Sequence, residues 1–252
     1  MITIKSAQDI ERMRAAGRVV EETLLLLEQS VRIGITTAEL DRIADTFIRS
    51  KGAYPTFLNY NGYPKSICIS VNDEVVHGIP GKRKLKDGDI VSCDVGATLD
   101  GFVGDAARTF LIGNVPQETQ DLVRITRECF FEGLKYCRVG YRISDISKAI
   151  QKHAESHGYG VVRELVGHGV GRKLHEDPEV PNYYSPRARQ RLEAGMTIAV
   201  EPMINLGTAK IWQLDDGWTV TTQDGKPSAH YENSIAITDG DPILLTCSEA
   251  IV

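Results

Sequence analysis

Long hydrophobic runs are missing from this sequence of 252 residues. The longest, Leu24 to Leu27, is far too short to span a bilayer, which needs about 20 apolar residues. The first residues, MITIKSAQDIERMR, also lack the apolar core of a signal peptide. We therefore expect no membrane partner and no secretory targeting.

An excess of positive charge is missing as well, because 29 lysines and arginines face 34 aspartates and glutamates, for a net charge of −5. Proteins dedicated to nucleic acids or anionic membranes need a basic surface, so these classes, DNA binding included, are excluded. The five cysteines are odd in number and scattered without metal-type pairing. They indicate reduced thiols and hence a cytoplasmic protein.

No linker rich in proline, glycine or serine divides the chain, which predicts a single domain over residues 1–252. Two helices are predicted near the start. Ser6 with Asp9 resembles a capping box and precedes apolar residues at helical spacing, which predicts a helix from about residue 7 to 29. Thr36 with Glu39 repeats the signal before a second helix that Gly52 would end.

An internal repeat organises the sequence. VRIGITTAELDRIADTFIRSKGAY (31–54) aligns without gaps with CRVGYRISDISKAIQKHAESHGYG (137–160), and LKDGDIVSCD (85–94) aligns with LEAGMTIAVE (192–201). The second alignment pairs Asp94 with Glu201. Chance recurrence of helix and turn patterns is the alternative. We predict two related halves, about 1–112 and 113–252, that form one α+β domain with a pseudo-twofold axis.

Four carboxylates occupy strand contexts. Asp94 and Glu201 each end an apolar β-branched run, Asp105 follows a turn through glycines that predicts a hairpin, and Glu232 precedes the apolar run SIAI. Burial of an uncompensated carboxylate costs on the order of several kcal/mol, so such acids need partners or must stay protonated. Taken singly, each acid is explained by a capped turn or an ion pair. Taken together they are not, because Arg108 is the only cation nearby.

His168 lies in GHGVG, where flanking glycines allow close approach of the backbone, and a neutral imidazole is a common metal ligand. A structural histidine is the alternative. If this side chain joins the four carboxylates, two divalent cations would balance their charge. A carboxylate-rich set with one imidazole favours manganese, iron or cobalt over a thiolate zinc site.

Four features follow one another along the chain. They are Asp94 and Asp105 with ten residues between them, then GHGVGRKLHE, VEPM and YEN. With them the chain resembles the type I methionine aminopeptidases over nearly its whole length, including NYNGYPKSICISVNDEVVHGIP and DGFVGDAARTF. The resemblance implies a pita-bread fold, an antiparallel sheet flanked by two helix pairs. It also implies removal of the initiator methionine from nascent chains when the next residue is small.

By resemblance, Asp94 would bind one metal ion through both oxygens, and Asp105 and Glu232 would bridge two ions. His168 and Glu201 would complete the second site, and Glu201 would also transfer protons. The two divalent ions would be cobalt, manganese or iron, with zinc as a further candidate.

Two more histidines take catalytic and substrate-binding roles by resemblance. His175, in LHE, would hydrogen-bond the scissile carbonyl oxygen, and His77, in VHGIP, would lie near the departing amide nitrogen. A surface imidazole is the alternative for each. The methionine side chain would lie in a pocket formed by Tyr60, Tyr63, Cys68 and Trp218, with Phe57 and Leu174 at its rim.

Aromatic and sulfur-bearing walls suit a thioether, although the same residues could simply be core. The sequence departs from the family at two places that bear on the shape of this pocket. Asn61 stands where histidine is frequent, and Leu174 precedes His175 where an aromatic residue is common.

Rival functions are a proline-directed peptidase of the same fold and a non-catalytic binding protein that keeps the fold. The former usually carries an additional N-terminal domain, and the latter generally loses metal ligands. The basic stretches at 81–86 and 187–191 could touch ribosomal RNA transiently, but a solvated surface is the simpler interpretation. We expect a monomer that acts on the N-terminus of nascent polypeptides.

Overall fold

The structure is a computed structural model that describes residues 1–247. It contains four α-helices, α1 Ala7–Ser30, α2 Thr37–Ser50, α3 Gln117–Leu134 and α4 Ile143–Ser156. The strands are β1 Tyr54–Pro55, β2 Cys68–Val71, β3 Glu74–Val76, β4 Ile90–Leu99, β5 Phe102–Leu111, β6 Gly160–Val161, β7 Gly167–Gly169, β8 Glu176–Val180, β9 Thr197–Val200, β10 Met203–Asn205, β11 Ile211–Gln213, β12 Val220–Thr222, β13 Ser228–His230, β14 Asn233–Ala236 and β15 Ile243–Leu244.

Both capping boxes predicted from the sequence are confirmed. The Ser6 hydroxyl accepts from the Asp9 backbone while the Asp9 carboxylate accepts from the Ser6 backbone, and Thr36 and Glu39 do the same. Each box satisfies backbone donors that a helix start otherwise leaves without partners. The first two helices therefore begin where the sequence predicts.

The longest hairpin joins β4 to β5 in an antiparallel register that pairs Asp94 with Ala107. Asp100 and Gly101 connect the strands and both have positive φ, 49° and 76°, as the tight hairpin turn requires. β1 and β2 pair with β4, which makes a four-stranded sheet. This confirms the predicted hairpin with an acid on each strand.

A five-stranded sheet in the order β15, β14, β9, β7, β8 forms the second large element. Residues just before β14 join it to the hairpin, because Glu232 and Ala107 exchange backbone hydrogen bonds of 3.0 and 3.3 Å. Two three-stranded sheets, β13-β10-β6 and β11-β12-β3, complete the strands. All pairings within residues 1–247 are antiparallel, as predicted.

Two helix pairs cover the strands, and each pair has its own hydrophobic core. α1 and α2 pack with β2 and β4 around side chains such as Leu40 and Val91. α3 and α4 pack with the strands of the second half around side chains such as Phe130 and Ile198. This arrangement confirms the α+β class and the two flanking helix pairs.

The elements of the two halves match where the sequence repeat aligns. α2 and α4 each have 14 residues, and β4 and β9 both begin two residues after a glycine with φ near 88°. Two short bridges match as well, Thr36 with Lys84 and Arg142 with Arg191. These matches support a duplicated unit, and the boundaries of the halves stay a prediction. Within the described residues, no helix is both long and apolar enough to cross a membrane.

Candidate active site

The strand register places three of the acids on one face, which is formed by the hairpin of β4 and β5 and by the segment at Glu232 beside it. Asp94 lies opposite Ala107 on β5, and Glu232 pairs with Ala107 from the other side. Asp105 is two residues from Ala107 on the same strand, so its side chain points to the same face. The small side chain of Ala107 leaves room for the three carboxylates above it.

The five-stranded sheet supplies the remaining two predicted ligands. The register that pairs Asn233 with Val200 sets Glu201 beside Glu232, and His168 lies opposite Ala199, two residues before Glu201. Gly167 and Gly169 flank His168, and a Cβ on them would stand 2.4 Å from the Ala199 carbonyl oxygen and 2.1 Å from that of Asp177. Glycine is therefore required for the close approach that the sequence predicted here.

The ligand atoms converge as a result. His168 Nε2 lies 3.7 Å from Asp105 Oδ2 and 3.5 Å from Glu201 Oε1. Donor atoms of Asp105, His168 and Glu232 all lie within 4.8 Å of one another. The carboxylate of Asp94 belongs to a neighbouring group with Glu232 and one further histidine, His230.

Burial dominates the electrostatics of these acids. It raises the pKa of both Asp94 and Glu232 to about 8, and for Asp94 the Glu232 carboxylate adds to the shift. The pKa values of Asp105 and Glu201 are raised well above their ordinary range, first by burial and then by the Glu232 carboxylate. Burial lowers the pKa of His168 to about 4, so its imidazole is neutral near pH 7.

Arg108 does not neutralise the acids by pairing with them. Its guanidinium donates to the backbone oxygens of Ala107 and Glu232 and to the side-chain oxygen of Asn233. It also lies 4.2 Å from the centre of the Tyr231 ring. The positive charge of Arg108 lowers the pKa of Glu232, although Arg108 makes its hydrogen bonds to these other groups and not to the carboxylates.

The donor set fits divalent metal ions. Asp94 Oδ1, Asp105 Oδ1 and Glu232 Oε1 are buried oxygens without a hydrogen-bond partner, which is costly for a native protein. Four clustered carboxylates and a neutral imidazole offer the oxygen-rich coordination that manganese, iron and cobalt accept. Two divalent cations would satisfy the oxygens and cancel the four negative charges.

A cavity of about 270 Å³ adjoins these ligands. It is lined by every residue that the sequence predicted for metal binding, catalysis or substrate binding, namely Phe57, Tyr60, Tyr63, Cys68, His77, Asp94, Asp105, His168, Leu174, His175, Glu201, Trp218 and Glu232. Asn61, noted in the sequence as a departure from the family, lines it too. We refer to it as the inner cavity.

The far wall of the inner cavity is aromatic and sulfur-bearing. The rings of Tyr63 and Trp218 meet edge to face with centres 5.1 Å apart. Cys68 pairs in register with Asp94, and its pKa is raised well above its ordinary value, chiefly by burial. A protonated thiol and ring faces form a surface that suits a thioether side chain.

The two predicted catalytic histidines also line the inner cavity. His175 Nδ1 is 2.8 Å from the Tyr60 hydroxyl, and its ring meets that of His168 edge to face. His77 has a positive φ of 59°, an unfavourable conformation for a residue with a Cβ. Burial lowers the pKa of His77 to about 4.

An open cleft of about 850 Å³ lies outside the inner cavity. The two share His77, His168, His175 and Glu201. The outer cleft is the larger and also reaches residues of the first segment, such as Thr3 and Lys5. A small cavity that shares these lining residues with a wider cleft suits a peptide held by one terminal side chain.

One residue near the ligands was missed by sequence reasoning. His230 lies two residues before Glu232, and its Nε2 is 3.4 Å from Glu232 Oε2. The signal was the strand periodicity of HYEN, since residues two apart face the same side of a strand.

Comparison with known proteins gives a consistent result. Residues 11–239 match the family model described as "Metallopeptidase family M24". A methionine aminopeptidase of Clostridium perfringens is 54% identical over 246 residues, covering 98% of this chain and 99% of that protein. The crystal structure of methionine aminopeptidase from Rickettsia prowazekii superposes with a TM-score of 0.96 at 42% identity, covering 98% of this chain and 100% of the other.

Proline-directed relatives share the fold at a greater distance. Prolidase from Pyrococcus furiosus has a TM-score of 0.79 at 20% identity, and the match covers 98% of this chain but only 66% of that one. Such identity shows common architecture alone.

Proposed function

The chain belongs to metallopeptidase family M24, and from this premise we propose that it is a methionine aminopeptidase that removes the initiator methionine of nascent proteins when the second residue is small. Relatives named for this activity are 45% to 54% identical over nearly the full chain. One observation carries the proposal, namely that all thirteen residues selected from the sequence line a single cavity.

Five side chains would hold the two divalent ions. Asp94 would contribute to one site, His168 and Glu201 would contribute to the other, and Asp105 and Glu232 would serve both. The buried oxygens without hydrogen-bond partners and the raised carboxyl pKa values support this assignment. A pair of divalent cations supplies an activated water nucleophile and stabilises developing negative charge.

We infer that Glu201 transfers the proton of the reaction. Its carboxylate oxygens lie 3.5 Å from His168 Nε2 and 3.9 Å from His230 Nε2. Burial raises its pKa above the ordinary value, which makes its carboxylate a stronger proton acceptor than an exposed glutamate. It would accept the proton of the attacking water and deliver it to the departing amine.

His175 would donate a hydrogen bond to the scissile carbonyl oxygen. When the Tyr60 hydroxyl donates to Nδ1 of His175, the imidazole proton lies on Nε2 and is available to the substrate. His77 would hydrogen-bond the nitrogen of the departing amide. The methionine side chain would pack against the wall formed by Tyr63, Cys68 and Trp218. The rest of the peptide would extend into the outer cleft.

Cobalt, manganese or iron are the metals we propose, with zinc as a further candidate, because carboxylates dominate the set. We place the reaction in the cytoplasm, since all five cysteines are free thiols. We propose a monomer. The basic segments 81–86 and 187–191 are exposed apart from a few positions, and we interpret them as solvated surface. Cosedimentation with ribosomes at physiological salt tests for a transient contact.

Peptide selectivity tests the proposal directly. We expect methionine release from a Met-Ala-Ser peptide and no cleavage of Ala-Pro-Ser, in the presence of cobalt, manganese, iron or zinc in turn. Glu201→Gln should abolish turnover, because an amide cannot take up the proton. Preference for the Ala-Pro peptide would instead assign a proline-directed peptidase, and inactivity on both would favour a binding protein.

A further inference from the structure

His230 lies against the carboxylate cluster but has no part in the function proposed above. It ends β13, opposite Met203 on β10. Its Nε2 atom is 3.4 Å from Glu232 Oε2 and 3.9 Å from Glu201 Oε2. The imidazole therefore points at the same set of oxygens that would hold the metal ions.

The Nε2 atom of His230 is both buried and without a hydrogen bond. The residue is 2% exposed, and this nitrogen has no hydrogen-bond partner. Leaving a buried nitrogen unsatisfied is costly, so native proteins rarely do it without a functional reason. The neighbouring oxygens of Asp94 and Glu232 without partners show the same property. Donor atoms that face one another across a short gap are typical of a metal site.

The separations fit a shared cation. Donor atoms of Asp94, His230 and Glu232 lie within 4.8 Å of one another, as do those of Asp105, His168 and Glu232. Ligands that each stand about 2.1 Å from one ion lie within about 4.2 Å of one another. Small side-chain movements therefore suffice to close either group around an ion.

We propose that His230 Nε2 is a ligand of the metal ion held by Asp94 and Glu232. The inference rests on the two-metal function proposed above and adds a sixth ligand to it. Each ion then has its own imidazole, His168 beside Asp105 and His230 beside Asp94, with Glu232 shared. A neutral imidazole adds no charge, so the balance between four carboxylates and two divalent ions is unchanged.

The surroundings of His230 suit a permanent ligand. Its backbone N–H donates to the Thr109 hydroxyl oxygen at 3.0 Å, and that hydroxyl donates to the His230 carbonyl oxygen at 2.9 Å. His230 does not line the inner cavity. It borders a separate cavity of about 330 Å³ together with Arg108 and Tyr231. A bound methionine would therefore not displace this imidazole.

X-ray absorption at the cobalt edge tests the assignment on the unaltered protein. The metal-stripped chain is loaded with two equivalents of Co²⁺. The number of imidazole ligands is then determined from the outer-shell scattering that is characteristic of imidazole. We expect two imidazoles for each pair of cobalt ions. One imidazole for each pair would overturn the proposal, and so would failure to bind cobalt.

Variants provide a second measurement. Calorimetric titration of His230→Gln with Co²⁺ should show one of the two sites weakened at least about tenfold, with one imidazole left in the absorption spectrum. His153→Gln is the matched control, because His153 lies on α4 and pairs with Glu128 outside the site. Wild-type affinity and imidazole count in His230→Gln would overturn the proposal. If this variant fails to fold, the count on the wild-type protein decides.

The same samples separate this inference from the proposed function. Methionine release with two bound ions but one imidazole would refute the role of His230 and leave the aminopeptidase intact. Two imidazoles without release of methionine would support His230 as a ligand and refute the proposed activity.

Discussion

The Tyr60 hydroxyl lies 2.8 Å from Nδ1 of His175, and the His175 ring meets that of His168 edge to face with centres 4.3 Å apart. A residue of the proposed methionine pocket is thereby connected to a proposed metal ligand through one imidazole that we propose to be catalytic. The contact with Tyr60 fixes which nitrogen of His175 can face the substrate.

Tyr60→Phe should lower kcat by about tenfold, which corresponds to about 1.4 kcal/mol of transition-state stabilisation. The reason is that the His175 ring loses the hydrogen bond that sets its proton on Nε2. Steady-state kinetics with a methionyl peptide measure the effect, and Co²⁺ titration should show unchanged metal affinity. Tyr184→Phe, at an exposed tyrosine, is the control. An unchanged kcat in Tyr60→Phe would show that Tyr60 does not orient His175.

Trp218→Ala should raise KM for methionyl peptides several-fold, because the methionine side chain loses the ring that meets Tyr63 edge to face. The second tryptophan of the chain supplies the control, since Trp212 is 57% exposed and Trp212→Ala should leave KM unchanged. Equal KM values for the two variants would remove Trp218 from the substrate pocket and make it a core residue only.

The metal-free protein should lose stability as pH rises from 6.5 to about 8. The folded-state pKa of Asp94 and of Glu232 is raised to about 8, so the folded protein keeps protons that the unfolded chain has released. The free energy of unfolding then falls with pH, by up to about 1.4 kcal/mol per pH unit for each group. The buried His77, His168 and His230, whose pKa values are lowered to about 4, act in the opposite sense near pH 6.5. Their effect fades about one pH unit higher, where they are neutral in both states, so the carboxyl groups dominate toward pH 8.

Urea unfolding in the presence of a chelator at pH 6.5 and pH 8.0 measures this slope. Addition of Mn²⁺ or Co²⁺ should restore stability at pH 8.0, because the ions replace the protons on the carboxylates. The double variant Asp94→Asn with Glu232→Gln should show a smaller pH dependence, and the remainder would come from Asp105 and Glu201, whose pKa values are also raised. A stability that rises with pH in the metal-free wild type would contradict the raised carboxyl pKa values.

Gly169→Ala should destabilise the fold by about 2 to 3 kcal/mol, because the new Cβ would stand 2.1 Å from the Asp177 carbonyl oxygen. The displaced backbone carries His168, so metal affinity should fall as well. Gly81→Ala is the matched control, since its Cβ would meet nothing closer than 3.8 Å. Chemical unfolding and Co²⁺ titration of both variants test the prediction. Equal stability of the two would mean that Gly169 is not needed beside His168.

Local signals in the sequence predict much of the fold. The Ser6 and Thr36 capping boxes locate the first two helices because their partners lie three residues away in the chain. The repeat locates α4 by its likeness to α2. Glu232 and Ala107, which exchange backbone hydrogen bonds, are far apart in sequence, and no local pattern specifies their pairing. The acids could be recognised singly, but their arrangement depends on this long-range register.

His230 shows why a candidate site is harder to complete than to find. Strand periodicity sets it on the same side as Glu232. Its position beside the carboxylates depends on the contacts of His230 with Thr109 and of Glu232 with Ala107, and these partners lie far away in the chain. The strand acids and His168, together with the resemblance to the methionine aminopeptidases, which the comparisons confirm, supplied thirteen cavity residues but not this one.

We propose that the cavity acts through two divalent ions held by its own carboxylates and imidazoles. Titration of the metal-stripped protein with Co²⁺, with methionine release from Met-Ala-Ser followed at each ratio, tests it most directly. We predict no release before metal is added and a rise that ends at two ions per chain. Full release by the metal-stripped protein, or none at any ratio of cobalt, manganese, iron or zinc, would contradict the account.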